Sequence, residues 1–216
     1  MPSMILAGDV NLMNVADPAV PFARIGAELQ AADLVFGNLE CLLYRPPDGH
    51  TVEHEGFFAD PEIAGEALQA AGIAAVGLAN NVNYGGAAIA GSIGRLDRLG
   101  IAHTGAGADL AAARAPAAVS AGGRRVGFLQ RSSVYWPTNH EASERSGGIA
   151  VIPGHTAYQV PAHRVQPRLP PMNRPGIPPV IVTWADKAYL AAFADDIAGL
   201  RREADIVVAS CHWGLG

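Results

Sequence analysis

Four apolar runs, each ending in a short polar motif, limit what this chain can fold into. Met4-Ile5-Leu6-Ala7 leads into Gly8-Asp9-Val10-Asn11, and Leu34-Val35-Phe36 into Asn38-Leu39-Glu40. Residues 73–79 lead into Asn80-Asn81, and residues 206–210 into Cys211-His212-Trp213-Gly214. Runs of this length bounded by turn residues read as buried strands. In open α/β sheets the chemistry gathers beyond the carboxyl ends of the strands. Asp9, Glu40, Asn80 or Asn81, and His212 are therefore expected on one rim, although they are far apart in sequence. Carboxylate, carboxamide and imidazole form a ligand set for a hard or borderline metal such as Mn²⁺, Mg²⁺, Fe or Zn²⁺.

Helical patterns separate the strands. Residues 22–31 carry Phe22, Ile25 and Leu29 on one face. Asp60-Pro61-Glu62 opens the next helix with an N-cap aspartate and a first-turn proline. Residues 86–99 place Ile89, Ile93, Leu96 and Leu99 at helical spacing before Gly100. A short strand follows at 101–103, and Gly105-Ala106-Gly107 turns into a helix over 108–114. Later strands are expected at 117–120, at 125–130 after Gly122-Gly123, at 149–152, at 180–184 and at 205–211. The last two flank a helix over 187–203 that opens at Asp186 and carries Leu190, Phe193, Ile197 and Leu200. The proline-rich stretch 153–179 shows no periodicity and reads as an irregular insertion. Residues 44–58 read as a loop over the rim. The pattern fits a two-sheet α/β sandwich with helices outside.

With 216 residues, half of them hydrophobic, the chain supports one sizeable core and one domain. Its net charge is −5, and Lys187 is the one lysine. No basic block exists, which argues against nucleic acid as a partner. No run reaches the roughly 18 apolar residues of a membrane helix. No basic n-region precedes the first strand, so no signal peptide is read and a cytoplasmic location is the default expectation. Cys41 and Cys211 do not make a disulfide framework. A domain seldom stops just past a motif-bearing strand, so the chain is expected to be an N-terminal portion of a longer protein.

Five segments carry a family resemblance: GDVNL at 8–12, GNLE at 37–40, GLANN at 77–81, LGIAHTGAG at 99–107 and ASCHWG at 209–214. Together and in this order they resemble the bacterial capsule-synthesis CapA family, poly-γ-glutamate biosynthesis proteins related to calcineurin-like metallophosphoesterases. The resemblance implies a four-layer αββα metallophosphoesterase-like sandwich, incomplete at the C-terminus, because the family continues past residue 216 with a Gly-His-x-x-His-type segment. It implies two divalent ions in the full-length protein, an anionic polymer or phosphoester as substrate, and capsule-synthesis proteins as partners. The metal ligands it points to are Asp9, Glu40, Asn80, Asn81 and His212, with Glu40 as the bridging carboxylate and Asn81 and His212 also in catalytic roles.

Each of these residues has a plainer reading. Asp9 could cap a turn, Glu40 could sit at a helix N-terminus, the asparagines could satisfy loop backbone groups, and His212 could be structural. Asn11 and Asn38 are candidates for substrate contact or orientation. Arg131 could grip an anion by bidentate hydrogen bonds. Two positions depart from the family. Asn11 stands where metallophosphoesterases place a histidine, and Val82 stands where the family carries the histidine of Asn-Asn-His. That imidazole would stabilise charge on a transferring group or protonate a leaving group. His54, His140 and His155 lie in loops that could supply a substitute. The expected function is a metal-dependent, phosphoesterase-like hydrolase of capsule or poly-γ-glutamate biosynthesis. The alternative is a non-catalytic binding or assembly component.

Overall fold

The structure, a computed structural model, describes residues 3–46, 57–159, 162–163, 168, 172–173 and 177–213. The first half alternates strand and helix: β1 (Met4–Val10), α1 (Gly26–Ala31), β2 (Leu34–Leu39), β3 (Leu42–Leu43), β4 (Phe58–Ala59), α2 (Pro61–Ala70), β5 (Ile73–Gly77), α3 (Gly86–Leu99) and β6 (Ala102–Thr104). Then come β7 (Ala106–Gly107), α4 (Leu110–Arg114), β8 (Ala117–Ala121), β9 (Arg124–Ser132) and β10 (Gly148–Ile149). The remainder is β11 (Gly154–Gln159), β12 (Ala162–His163), β13 (Met172–Asn173), β14 (Val180–Ala185), α5 (Lys187–Leu200) and β15 (Ile206–His212).

The helices begin where capping chemistry starts them. The Asp60 carboxylate accepts from the backbone N–H groups of Glu62 and Ile63, with Pro61 in the first turn. Asp186 does the same for Ala188 and Tyr189 at α5. α1 has no such cap, and helix forms only from Gly26 rather than over the expected 22–31. The turn before β9 uses Gly122 and Gly123 at φ of 55° and 75°, the left-handed values that a tight hairpin turn demands.

Two sheets position the site. The first has the order β1-β2-β5-β6, and all its pairs are parallel. The second has the order β15-β9-β8, with β15 parallel and β8 antiparallel to β9. Side chains alternate across a strand, and this sorts the core. Leu34 and Phe36 of β2 and Ala75 of β5 pack against Ala117, Val126 and Phe128 of the second sheet. The Phe36 and Phe128 rings stack with centroids 4.6 Å apart and planes 3° from parallel. On the other face of the first sheet, Val35, Leu39 and Val76 join Ala64, Leu68, Ile89 and Leu96 of α2 and α3. On the other face of the second, Leu129 packs with Phe193 and Leu200 of α5.

Two expectations differ from what is observed. Residues 149–152 yield strand only at Gly148–Ile149, with an isolated bridge from Val151 to Ser132. Within the stretch expected to be irregular, β11 pairs antiparallel with β14 over six residues of each strand. Residues 154–159 contain no proline, so their ladder N–H groups are intact. β15 lies at a sheet edge among the described residues. Both cysteines are free, and burial pushes the Cys41 thiol up to about 12. No helix among the described residues is long and apolar enough to cross a membrane.

Candidate metal centre

Three strand ends deliver the cluster. Asp9 lies near the end of β1, in register with Asn38 of β2. Glu40 follows β2, and its backbone N–H donates to the Val10 carbonyl at 2.9 Å, tying it to β1. His212 is the last residue of β15 and stands in register with Ser132. Asp9, Glu40 and His212 each offer one ligand atom, and these atoms lie within 4.8 Å of one another. His212 Nδ1 is 3.7 Å from Asp9 Oδ1, and Nε2 is 3.6 Å from Glu40 Oε1. The expectation that these three residues share one rim matches what is observed.

Asn38 sits behind them as a hub. Its Nδ2 donates to Asp9 Oδ1 at 2.7 Å and faces His212 Nδ1 at 3.2 Å. Its Oδ1 accepts from Asn80 Nδ2 at 3.0 Å and from Gln130 Nε2 at 2.9 Å. An amide has two donors and two lone pairs, so Asn38 is fully used. Because both lone pairs are taken, the group facing His212 is the NH₂, and Nδ1 must accept. In the neutral ring the proton is then on Nε2, which donates to Asn81 Oδ1 at 2.8 Å.

The two asparagines therefore separate. Asn81 touches His212, and its backbone carbonyl accepts from the Trp136 indole N–H at 3.1 Å. Asn80 is fully buried. Its Oδ1 accepts from the backbone N–H groups of Val82 and Asn83, and its Nδ2 reaches Asn38 and the Leu39 carbonyl. Asn80 is tied to the cluster through its hydrogen bond to Asn38.

The other candidates have other partners. Asn11 is exposed, and its Oδ1 accepts from its own loop at the Met13 N–H. Arg131 is buried, donates to the Asp196 carboxylate and lies 4.7 Å from the Phe193 ring centroid. Asp196 also takes Arg114. Arg131 thus points toward α5, on the opposite side of β9 from Gln130. It lines a cavity of about 230 Å³ with Arg114, Glu141 and Tyr189. His54 lies outside the described residues. His140 is buried, accepts from the Trp136 N–H at Nδ1 and donates from Nε2 to the Asn83 carbonyl, so neither ring nitrogen is free. His155 lies on β11, 3.6 Å from Asp186.

Burial, then the neighbouring Asp9 carboxylate, push the Glu40 carboxyl above its ordinary range, while His212 pulls the other way. Two carboxylates brought this close repel unless a cation joins them. Ligand atoms around one ion at roughly 2.0–2.2 Å each span up to about 4.4 Å, so the observed spread needs only a small closing-in. The donor set of two carboxylates and an imidazole, with an asparagine oxygen beside it, fits Mn²⁺, Mg²⁺, Fe or Zn²⁺.

Sequence reasoning missed Gln130. Its signal was available: Val126, Phe128 and Gln130 alternate on one face of β9 just as Leu34, Phe36 and Asn38 do on β2. A polar residue in phase with an apolar stripe at a strand's carboxyl end is a buried polar residue that needs partners.

A family model described as "Bacterial capsule synthesis protein PGA_cap" matches residues 3–215. Two proteins of Sinorhizobium fredii (strain NBRC 101917 / NGR234), the uncharacterized proteins y4sH and y4uA, are each 31% identical to the chain over 169 residues. These matches cover 73% of this chain and 36% of each relative, so the chain spans about a third of the length of these curated relatives.

Proposed function

Because the chain belongs to the bacterial capsule synthesis protein family PGA_cap, we propose that its Asp9–Glu40–His212 cluster is the metal centre of a phosphoesterase-like hydrolase acting in capsule or poly-γ-glutamate formation. The observation that carries this reading is the convergence of three ligand atoms within 4.8 Å from three strand ends. A bound divalent ion supplies a water of lowered pKa and polarises a phosphoryl or carbonyl oxygen. The chain's own residues bind and orient. Asp9 and Glu40 give charged oxygen donors, Asn38 holds the Asp9 carboxylate, and Asn81 accepts from Nε2 of His212. An anionic polymer segment or phosphoester is the substrate class that suits an acidic site made electropositive by its ion. The packing of α2 and α3, the first sheet, the second sheet and α5 against one another supports reading the fold as an αββα sandwich.

A second reading keeps the metal and drops the turnover. Val82 is buried where the family resemblance places an imidazole, and both nitrogens of the neighbouring His140 are committed. A binding or assembly component of a capsule-synthesis complex fits that observation. Metal analysis of the purified chain, followed by assay with Mn²⁺ and bis(p-nitrophenyl) phosphate, separates the two. Metal retention with metal-dependent hydrolysis, both lost in Asp9→Asn and His212→Ala, supports the hydrolase. Metal retention without turnover supports the binding component. No retained metal removes both.

A further inference from the structure

Gln130 crosses the space between the two sheets. It is fully buried and stands on β9 in register with Ser210 of β15. Its Oε1 accepts the Ala79 backbone N–H at 2.7 Å. Its Nε2 donates to Asn38 Oδ1 at 2.9 Å and approaches Ser210 Oγ at 3.4 Å. The first sheet makes room for it. A Cβ on Gly77 would lie 2.2 Å from Gln130 Oε1. A Cβ on Gly105, held at φ +97°, would lie 3.1 Å from Oε1 and 2.7 Å from the Ala79 nitrogen.

This arrangement has a direction. A backbone N–H is always a donor, so Ala79 fixes which end of the Gln130 amide is oxygen. Gln130 must then present NH₂ to Asn38, and Asn38 must present oxygen to Gln130. The Asn38 NH₂ is left facing Asp9 Oδ1 and His212 Nδ1. An Asn38 amide turned by half a rotation would set oxygen against a carboxylate and against an accepting ring nitrogen, with no proton between them. One end of the relay is main chain and cannot reverse, so the whole relay is oriented. It also joins the two sheets, because Asp9 and Asn38 belong to the first while Gln130 and His212 belong to the second.

We propose that Gln130 is a positioning residue: by fixing the Asn38 amide, it holds the Asp9 carboxylate and orients the His212 ring at the cluster, where ligation of an ion would require one His212 nitrogen to exchange its hydrogen bond to Asn38 or Asn81 for the ion. This rests on the metal reading above for its function, but the positioning can be read without metal. Buried partners of metal ligands are typically worth about 10–100-fold in metal affinity.

The test uses Gln130→Met, which keeps the volume and removes both polar atoms, and Gln130→Asn, a shorter amide that cannot reach Ala79 and Asn38 together. Each is compared with wild type and with Asn38→Ala in the full chain. Mn²⁺ binding is followed by electron paramagnetic resonance, and the ring nitrogens of His212 by ¹⁵N NMR of the metal-free protein. The expected result is a changed His212 Nδ1 signal in both variants and a Mn²⁺ affinity lower by about 10–100-fold. Gln130→Met should add little to the loss already caused by Asn38→Ala, because both act through one amide. An unchanged Nδ1 signal overturns the assignment, and so does a Gln130→Met effect fully additive to Asn38→Ala. If wild type takes up no Mn²⁺, the metal reading fails, and the nitrogen signal alone decides for or against Gln130. Should one variant fail to fold, the other supplies the same comparison.

Discussion

Replacing Gly77 by alanine should destabilise the protein, against the usual sign for such a change. Gly77 lies outside the left-handed region, so its backbone suits alanine. Gly→Ala at a compatible position ordinarily stabilises by about 0.4–1 kcal/mol by restricting the unfolded chain. Here the new Cβ would lie 2.2, 2.4 and 2.6 Å from Oε1, Cδ and Nε2 of Gln130. Non-bonded carbon needs about 3.5–4.0 Å, so the Gln130 side chain must leave. Two buried hydrogen bonds go with it, from Ala79 and to Asn38. Each orphaned buried group costs about 1–3 kcal/mol, and subtracting the unfolded-state gain from two such costs leaves a net loss of about 1–6 kcal/mol. In a chain of this size each kcal/mol moves the melting temperature by about 2–4 °C, so the midpoint should fall by roughly 2–24 °C. Urea unfolding and thermal melts followed by circular dichroism measure it. The double variant Gly77→Ala/Gln130→Ala should be no less stable than Gln130→Ala alone, because the space is then vacant. A Gly77→Ala protein that melts as high as wild type refutes the argument, since Gln130 would then not occupy that space.

Glu40→Gln should raise the melting temperature of the metal-free protein, because it removes the carboxylate that burial and Asp9 disfavour, and should abolish the stabilisation gained from Mn²⁺; melts with and without the ion check both. His140 is held below its ordinary value of 6.5, chiefly by burial. The unfolded chain therefore binds this proton first, so stability is fully present above about 6.5 and should fall as the pH drops below it. Urea midpoints between pH 7.5 and 5 should show that fall, flattened in His140→Gln. Arg131→Met should destabilise by about 1–3 kcal/mol, because the part-exposed Asp196 carboxylate loses one charged hydrogen bond but keeps Arg114, while Mn²⁺ affinity stays within about twofold, since the guanidinium faces α5 rather than the cluster; calorimetric titration decides that half.

Much of the fold was legible because its causes are local. Asp60 and Asp186 announce α2 and α5, since a short acceptor before a helical period satisfies the first orphan N–H groups within three residues. The run 86–99 is helical over its full expected length because its apolar spacing never breaks. Polar residues at strand ends placed Asp9 and Glu40 on one rim because β1 and β2 are parallel and end on the same side, whereas His212, on the second sheet, reaches them through the packing of the two sheets.

What the sequence left open is who partners whom across the gap between sheets. Asn80 and Asn81 are adjacent and chemically identical, yet one is spent on backbone groups and Asn38 while the other meets His212. Arg131 looked available for an anion until α5, some 65 residues later, brought Asp196 against it. Gln130 and Asn38 are 92 positions apart. Periodicities of 2 and 3.6 say which way a side chain points. They do not say what stands opposite, and for a buried amide that partner decides whether it holds the site together or only satisfies a turn.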